Sequence, residues 1–164
     1  MSLWTVSATV PGMFDDVQVR PAEVADAAEW SALYRGYREF YRLEPDEAVV
    51  QRVWSWICDP DHELRSLVAV RSGRTVGLAN HRRFARPLVG AVGLYLDDLF
   101  TDPEVRGHGV GRALLTALSD LAAREGLVVV RWITSPDNAT ARRLYDRAAG
   151  ATPWVTYDLT PGSL

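Results

Sequence analysis

Apolar and polar positions alternate over Val17-Gln18-Val19-Arg20, which predicts a short opening strand stopped by Pro21. The period then lengthens. Val24, Ala27, Trp30, Tyr34, Tyr37 and Tyr41 fall on one face of a helix, which Glu44-Pro45-Asp46 breaks. Asp46 is placed to cap a second helix that turns Val49, Val53, Trp54 and Ile57 inward and ends near Asp59-Pro60. Cys58 lies in this apolar run and reads as a core residue.

Leu67–Val70 and Thr75–Ala79 flank Ser72-Gly73, a hairpin turn signal. A turn near Arg86-Pro87 leads to the run from Ala91 to Thr101, so three antiparallel strands are expected in sequence. From Val110 the pattern is helical again, with Leu114, Ala117, Leu118 and Leu121 inward and Gly126 just past the end as a left-handed cap. Leu127–Ile133 is rich in branched residues and reads as a buried strand. Strand, helix, strand at this spacing implies a parallel crossover. A last helix starts near Asn138, buries Ala141, Leu144, Tyr145 and Ala148, and stops at Gly150. Trp154–Leu159 reads as a terminal strand. The expectation is an α/β protein with a mixed sheet, one three-layer domain over residues 16–160 behind a loose leader at 1–15.

A chain of 164 residues with 48% hydrophobic and 24% charged side chains suits one globular domain and argues against extensive disorder. The net charge of -3 lacks the basic footprint of a nucleic-acid binder, and Arg82-Arg83 and Arg142-Arg143 read as solvated faces. Cys58 is the only cysteine, which excludes an intrachain disulfide and a cysteine-rich zinc site and fits a cytoplasmic location. No apolar stretch approaches the roughly 20 residues that span a bilayer, and Met1–Thr5 lacks the basic start of a secretory signal. His62 and His81 have no metal-ligand spacing with each other or with Cys58, so no metal is expected.

The chemistry concentrates in Leu99-Phe100-Thr101-Asp102-Pro103-Glu104-Val105-Arg106-Gly107-His108-Gly109-Val110-Gly111-Arg112, where a strand ends, a glycine-rich loop follows and a helix begins. Glycines at alternate positions let backbone N–H groups converge without Cβ interference. The helix start adds its own unpaired N–H groups and the positive end of its dipole, making an anion site suited to phosphate. The dinucleotide fingerprint fails because Arg112 stands where its third glycine belongs, and no Gly-Lys-Ser or Gly-Lys-Thr completes a Walker loop. What stands is Arg106-x-x-Gly109-x-Gly111.

This segment resembles the coenzyme A pyrophosphate loop of the GCN5-related N-acetyltransferases. The resemblance extends back through Tyr95-Leu96-Asp97-Asp98-Leu99-Phe100 and forward through Asn138-x-x-Ala141-x-x-Leu144-Tyr145, in the family's order from about Val68 to Gly150. It is similar above all to the Hpa2-like and diamine acetyltransferase branches. It implies that acetyl-coenzyme A is the cosubstrate, its pyrophosphate laid on the N–H groups of Arg106, Gly107, His108, Gly109, Val110 and Gly111, with Arg112 a further cofactor-binding residue. Leu99, Phe100 and Thr101 would then pair with the pantetheine amides as an added strand would.

The resemblance also makes Tyr145 the general acid for the departing thiolate; read alone, Tyr145 would be a core residue. Asn138 caps its helix and borders the cofactor. Asp97 and Asp98 are candidate bases for the acceptor amine, Asp97 first, and since successive strand residues point to opposite faces, only one of them should line the site. The acidic pair could equally bind a cationic acceptor or pair with arginines. His108 reads as a solvent-exposed loop residue. In this family the first two helices wall the acceptor pocket, so Tyr37 and Tyr41, with Glu39, Glu44 and Asp46 nearby, are the substrate-binding candidates. The expected activity is acetyl transfer to the primary amine of a small molecule: a polyamine, an amino acid or similar. A coenzyme A-binding domain with little catalysis, or an enzyme acting on peptide N-termini, remains the alternative. The short segment after the last helix suggests a homodimer.

Overall fold

Ser72 and Gly73 take left-handed backbone, with φ of +49° and +75°, and close the two-residue hairpin that the sequence announces. The hairpin joins β2 (Arg65–Arg71) to β3 (Arg74–Arg86). A second reversal at Pro87–Val89, closed by Gly90 at φ +59°, leads into β4 (Ala91–Thr101). In this computed structural model the described residues are 16–162, so the expected leader lies outside them. They divide into two compact units after Ile133.

In the first unit, β1 (Val17–Pro21) pairs with β2, and the sheet runs β1-β2-β3-β4-β5. The first four strands are antiparallel, while β5 (Val130–Arg131) joins β4 in parallel. The fold is mixed α/β, as the hydrophobic pattern predicts. The expected strand over 127–133 shrinks to two residues, because pairing with β4 covers only Leu94 and Tyr95.

Helices cover both faces of this sheet. Trp30, Leu33 and Tyr34 of α1 (Ala27–Phe40) and Val50 and Val53 of α2 (Glu47–Cys58) pack with Val68, Leu78 and Phe100 in one core cluster. The neighbouring Gly77 points the other way. A Cβ built there would come within 2.8 Å of Val110 and 3.2 Å of Leu114, both on α3 (Val110–Arg124). Asp46 caps α2 by accepting from the Val49 N–H, and Gly126 follows α3 at φ +67°, both as predicted. Val24 is corrected: it sits in a short 3-10 turn ahead of α1 and is exposed, because the helical period begins only at Ala27. Cys58 is corrected as well, being exposed at the end of α2 rather than in the core.

The second unit holds α4 (Ala139–Ala148), whose N-cap Asn138 accepts from the Ala141 N–H at 3.3 Å. The expected strand over 154–159 is absent. These residues pair with no strand among the described residues, and Trp154, Val155, Tyr157 and Leu159 are exposed. Alternation makes a segment able to pair, but a strand exists only where a partner supplies the hydrogen bonds. Among the described residues, no helix is long and apolar enough to cross a membrane.

Candidate active site

The pairing of β3 with β4 slips once. Asn80 faces Asp98 and His81 faces Leu96, so Asp97 is an extra residue on β4, a β-bulge. The bulge breaks the alternation of β4. Asp97 and Asp98 both line one cavity of about 230 Å³, together with Tyr34, Val53, Trp56, His62, Glu63, Leu64 and Arg82. The expectation that only one of the two carboxylates would line a site is therefore corrected, and the inserted residue is the reason.

The two carboxylates are held differently. Asp97 Oδ1 accepts from Arg82 Nε at 3.2 Å, while its Oδ2 is buried without a hydrogen-bond partner among the described residues. Burial pushes the Asp97 carboxyl above the usual aspartate range, with the Arg82 charge opposing and the neighbouring Asp98 reinforcing. Asp98 accepts from Asn80 Nδ2 at 2.9 Å, and the nearby Tyr37 hydroxyl also favours its charged form. Burial raises its carboxyl too, against those two donors. Tyr34 is pushed up to about 12, first by burial and then by the Asp98 charge. The cavity is thus a desolvated acidic pocket in which Tyr37 and Asn80 orient one carboxylate and Arg82 engages the other.

Its far wall is aromatic. Trp56 and His62 stack at 5.1 Å with planes 3° apart. His62 Nδ1 accepts from the Leu64 N–H at 3.0 Å, which puts the hydrogen of a neutral ring on Nε2. Arg65 fastens this loop by donating to the carbonyls of Asp59, Pro60, His62 and Leu64.

Of the substrate candidates, Tyr37 touches the site through Asp98 but does not line the cavity, and Tyr41 packs edge-on against Tyr37 at 5.1 Å. Glu44 offers its backbone carbonyl to Arg38, Asp46 is spent on its cap, and Glu39 lines a different hollow. Residues the motif reading passed over are Asn80, Arg82, Tyr34, Trp56, His62 and Glu63. Arg82, expected on a solvated face, engages the acidic pair instead. Its signal was its place two residues after Asn80, on the same face of β3.

The glycine loop follows β4 directly. Asp102 turns it by accepting from the Glu104 N–H at 3.0 Å. Gly107 and Gly109 take φ of +83° and +82°, and Gly109 is the N-cap of α3. Among the described residues, the N–H groups of Gly107, Gly109, Val110 and Gly111 make no backbone hydrogen bond. His108 is exposed, its Nδ1 near the carbonyls of Val105 and Arg106. The Arg106 guanidinium lies over Phe100 at 5.6 Å and Phe40 at 5.9 Å, bordering a hollow of about 570 Å³ between α1 and the loop. Beyond Tyr95, the β4 edge that faces β5 pairs with no strand among the described residues, which leaves Leu99 and Thr101 open to a ligand backbone. These features fit a phosphate-bearing, amide-rich ligand such as coenzyme A. Arg112 lies in the first turn of α3. In the second unit, Tyr145 lies half-buried on α4 and Asn138 caps that helix.

Comparison with known proteins gives a consistent picture. The model of the acetyltransferase (GNAT) family matches residues 30–151. An uncharacterized N-acetyltransferase of Bacillus subtilis, YhfO, is 30% identical over 135 residues, covering 80% of this chain and 87% of that protein. The D-amino-acid N-acetyltransferase HPA3 of Saccharomyces cerevisiae is 26% identical over 145 residues, covering 87% and 90%. Among solved structures, the aminoglycoside N-acetyltransferase AAC(6')-Iy in complex with coenzyme A superposes with a TM-score of 0.73 at 18% identity, covering 88% of this chain and 95% of that one.

Proposed function

Because the chain belongs to the acetyltransferase (GNAT) family and is an acetyl-coenzyme A-dependent N-acetyltransferase, we propose that its acceptor is the primary amine of a small molecule, acetylated by direct attack in the cavity under Asp97 and Asp98. The observation that carries this reading is the bulge, which puts two desolvated carboxylates on one wall of a small, partly aromatic pocket. Relatives named for D-amino-acid and aminoglycoside acetylation support a small amine acceptor.

A lysine-like amine has a pKa of about 10.4, so only about one in a thousand is free base near neutral pH. Asp98 takes the ammonium proton. Its partners, Asn80 and Tyr37, are neutral, whereas Asp97 is committed to Arg82. The free amine attacks the thioester carbonyl carbon, the carbon–sulfur bond breaks, and the second proton that the nitrogen sheds passes through solvent to restore Tyr145 after it has protonated the thiolate. The thiolate leaves with a proton from Tyr145, a role that rests on the motif match. The N–H groups of Gly107, Gly109, Val110 and Gly111 hold the pyrophosphate, those of Arg106 and His108 being already donated to Pro103 and Val105, and the open edge of β4 takes the pantetheine amides. The exposed apolar side chains of Trp154, Val155, Tyr157 and Leu159 support a homodimer in this reading.

Thiol release from acetyl-coenzyme A over a panel of primary amines tests the proposal. Release with compact amines supports it. Tight cofactor binding with no release for any amine overturns it in favour of a coenzyme A-binding domain.

A further inference from the structure

We propose that the acceptor is a zwitterion, a free amino acid whose carboxylate is received by Arg82 while its amine lies at Asp98. This rests on the amine reading above and narrows it to one substrate class.

Arg82 is fixed on two sides. Its Nε edge donates to Asp97 Oδ1 at 3.2 Å, and its guanidinium carbon lies 5.1 Å from the centre of the Tyr95 ring. Its two terminal nitrogens make no hydrogen bond among the described residues, and the side chain keeps 34% of its surface exposed on the cavity wall. A planar guanidinium held by its edge and its face, with a fork left over, is prepared for a carboxylate. Asp97 thereby becomes the residue that aims Arg82, which leaves Asp98 for the ammonium group.

The same arginine counts against the competing acceptors. A diamine has no anion for the fork, and its second charge would meet a fixed cation in a desolvated pocket. A bare alkylamine would leave the fork unused. Val53, Leu64 and the Trp56–His62 stack offer an apolar and aromatic wall for an amino-acid side chain. Glu63, exposed at the rim, would repel an acidic one, so neutral and basic amino acids are the favoured members of the class.

The test compares acceptors that differ only in the carboxylate: phenylalanine (either enantiomer), phenylalaninamide and phenethylamine. With the wild-type protein, kcat/KM for the amino acid should exceed that for the other two by about tenfold or more, the usual worth of a charge-assisted hydrogen-bond pair. In Arg82→Gln that ratio should collapse toward one, whatever activity is lost in common. Equal turnover of all three acceptors by the wild type, or an unchanged ratio in the variant, overturns the assignment of Arg82. Acetylation of the carboxylate-free amines but not of amino acids overturns it while sparing the amine reading. No thiol release with any amine, despite cofactor binding, overturns both. The wild-type comparison stands even where the variant fails to fold.

Discussion

Asn80 donates from Nδ2 to Oδ2 of Asp98 at 2.9 Å, joining residues that face each other across β3 and β4. One pair further along, the register has slipped by a residue and Asp97 protrudes. The hydrogen bond therefore marks where regular pairing ends and the acidic pocket begins. It also sets which carboxylate is oriented by neutral partners.

Asp98→Asn should lower kcat by about 10²- to 10⁴-fold, the usual contribution of a positioned base, and leave acetyl-coenzyme A affinity unchanged. Burial holds this carboxyl above its ordinary value of 3.8, so the basic anion is lost, and kcat falls, as pH drops through that raised value. Asn80 and Tyr37 pull the other way, so Asn80→Ala and Tyr37→Phe should each move the acid limb of the pH–kcat profile further up. Limbs at the wild-type position in both variants would show that Asp98 is not the group being titrated.

Gly107→Ala tests the loop. A Cβ at Gly107 meets nothing within 4 Å, so the cost comes only from φ of +83°, about 1–2 kcal/mol for an alanine held there. The loop should relax and weaken coenzyme A binding, measurable by calorimetry. Lower stability with unchanged affinity would mean that the pyrophosphate is held elsewhere.

Tyr145→Phe should reduce turnover by about 10²-fold while cofactor binding persists, as expected when a proton donor to the thiolate is lost. The loss should shrink for a thioester whose thiol is more acidic, since that leaving group needs less help. An equal loss with both thioesters would assign Tyr145 to structure rather than to proton transfer.

The shortest ion pair among the described residues lies away from the cavity. Arg20 holds Asp26 with two bonds, 2.6 and 2.7 Å, and the Glu23 N–H adds a third at 2.7 Å. The Arg20 bond is the main cause that lowers the Asp26 carboxyl below 3.8, with burial opposing it. A depressed carboxyl stabilises the fold above its unfolded value and loses that contribution as pH falls through its folded value. Asp26→Asn should cost about 2 kcal/mol at neutral pH, between the worth of exposed and buried pairs, and less at acid pH. Urea unfolding at the two pH values would measure it, and an equal loss at both would rule out the ion pair as the source.

Short-range pattern determined a good deal of this protein. The Ser72-Gly73 hairpin, the caps at Asp46 and Asn138, the Gly126 stop and the glycine loop before α3 are each decided by residues a few positions apart. Backbone sterics and unpaired helix ends act over just that range, so the chain alone was enough. Tertiary structure decided the rest. The bulge at Asp97 is a property of two strands counted against each other, and neither strand shows it by itself. Arg82 reads as a surface charge until β3 and β4 pair and bring it to Asp97, fifteen positions away. Trp154–Leu159 alternates as a strand should and is none, and Cys58 lies in an apolar run yet ends up exposed. Periodicity states what a segment can bury or pair, whereas desolvation and hydrogen bonding depend on which partner arrives. That partner is chosen only when the whole sheet assembles.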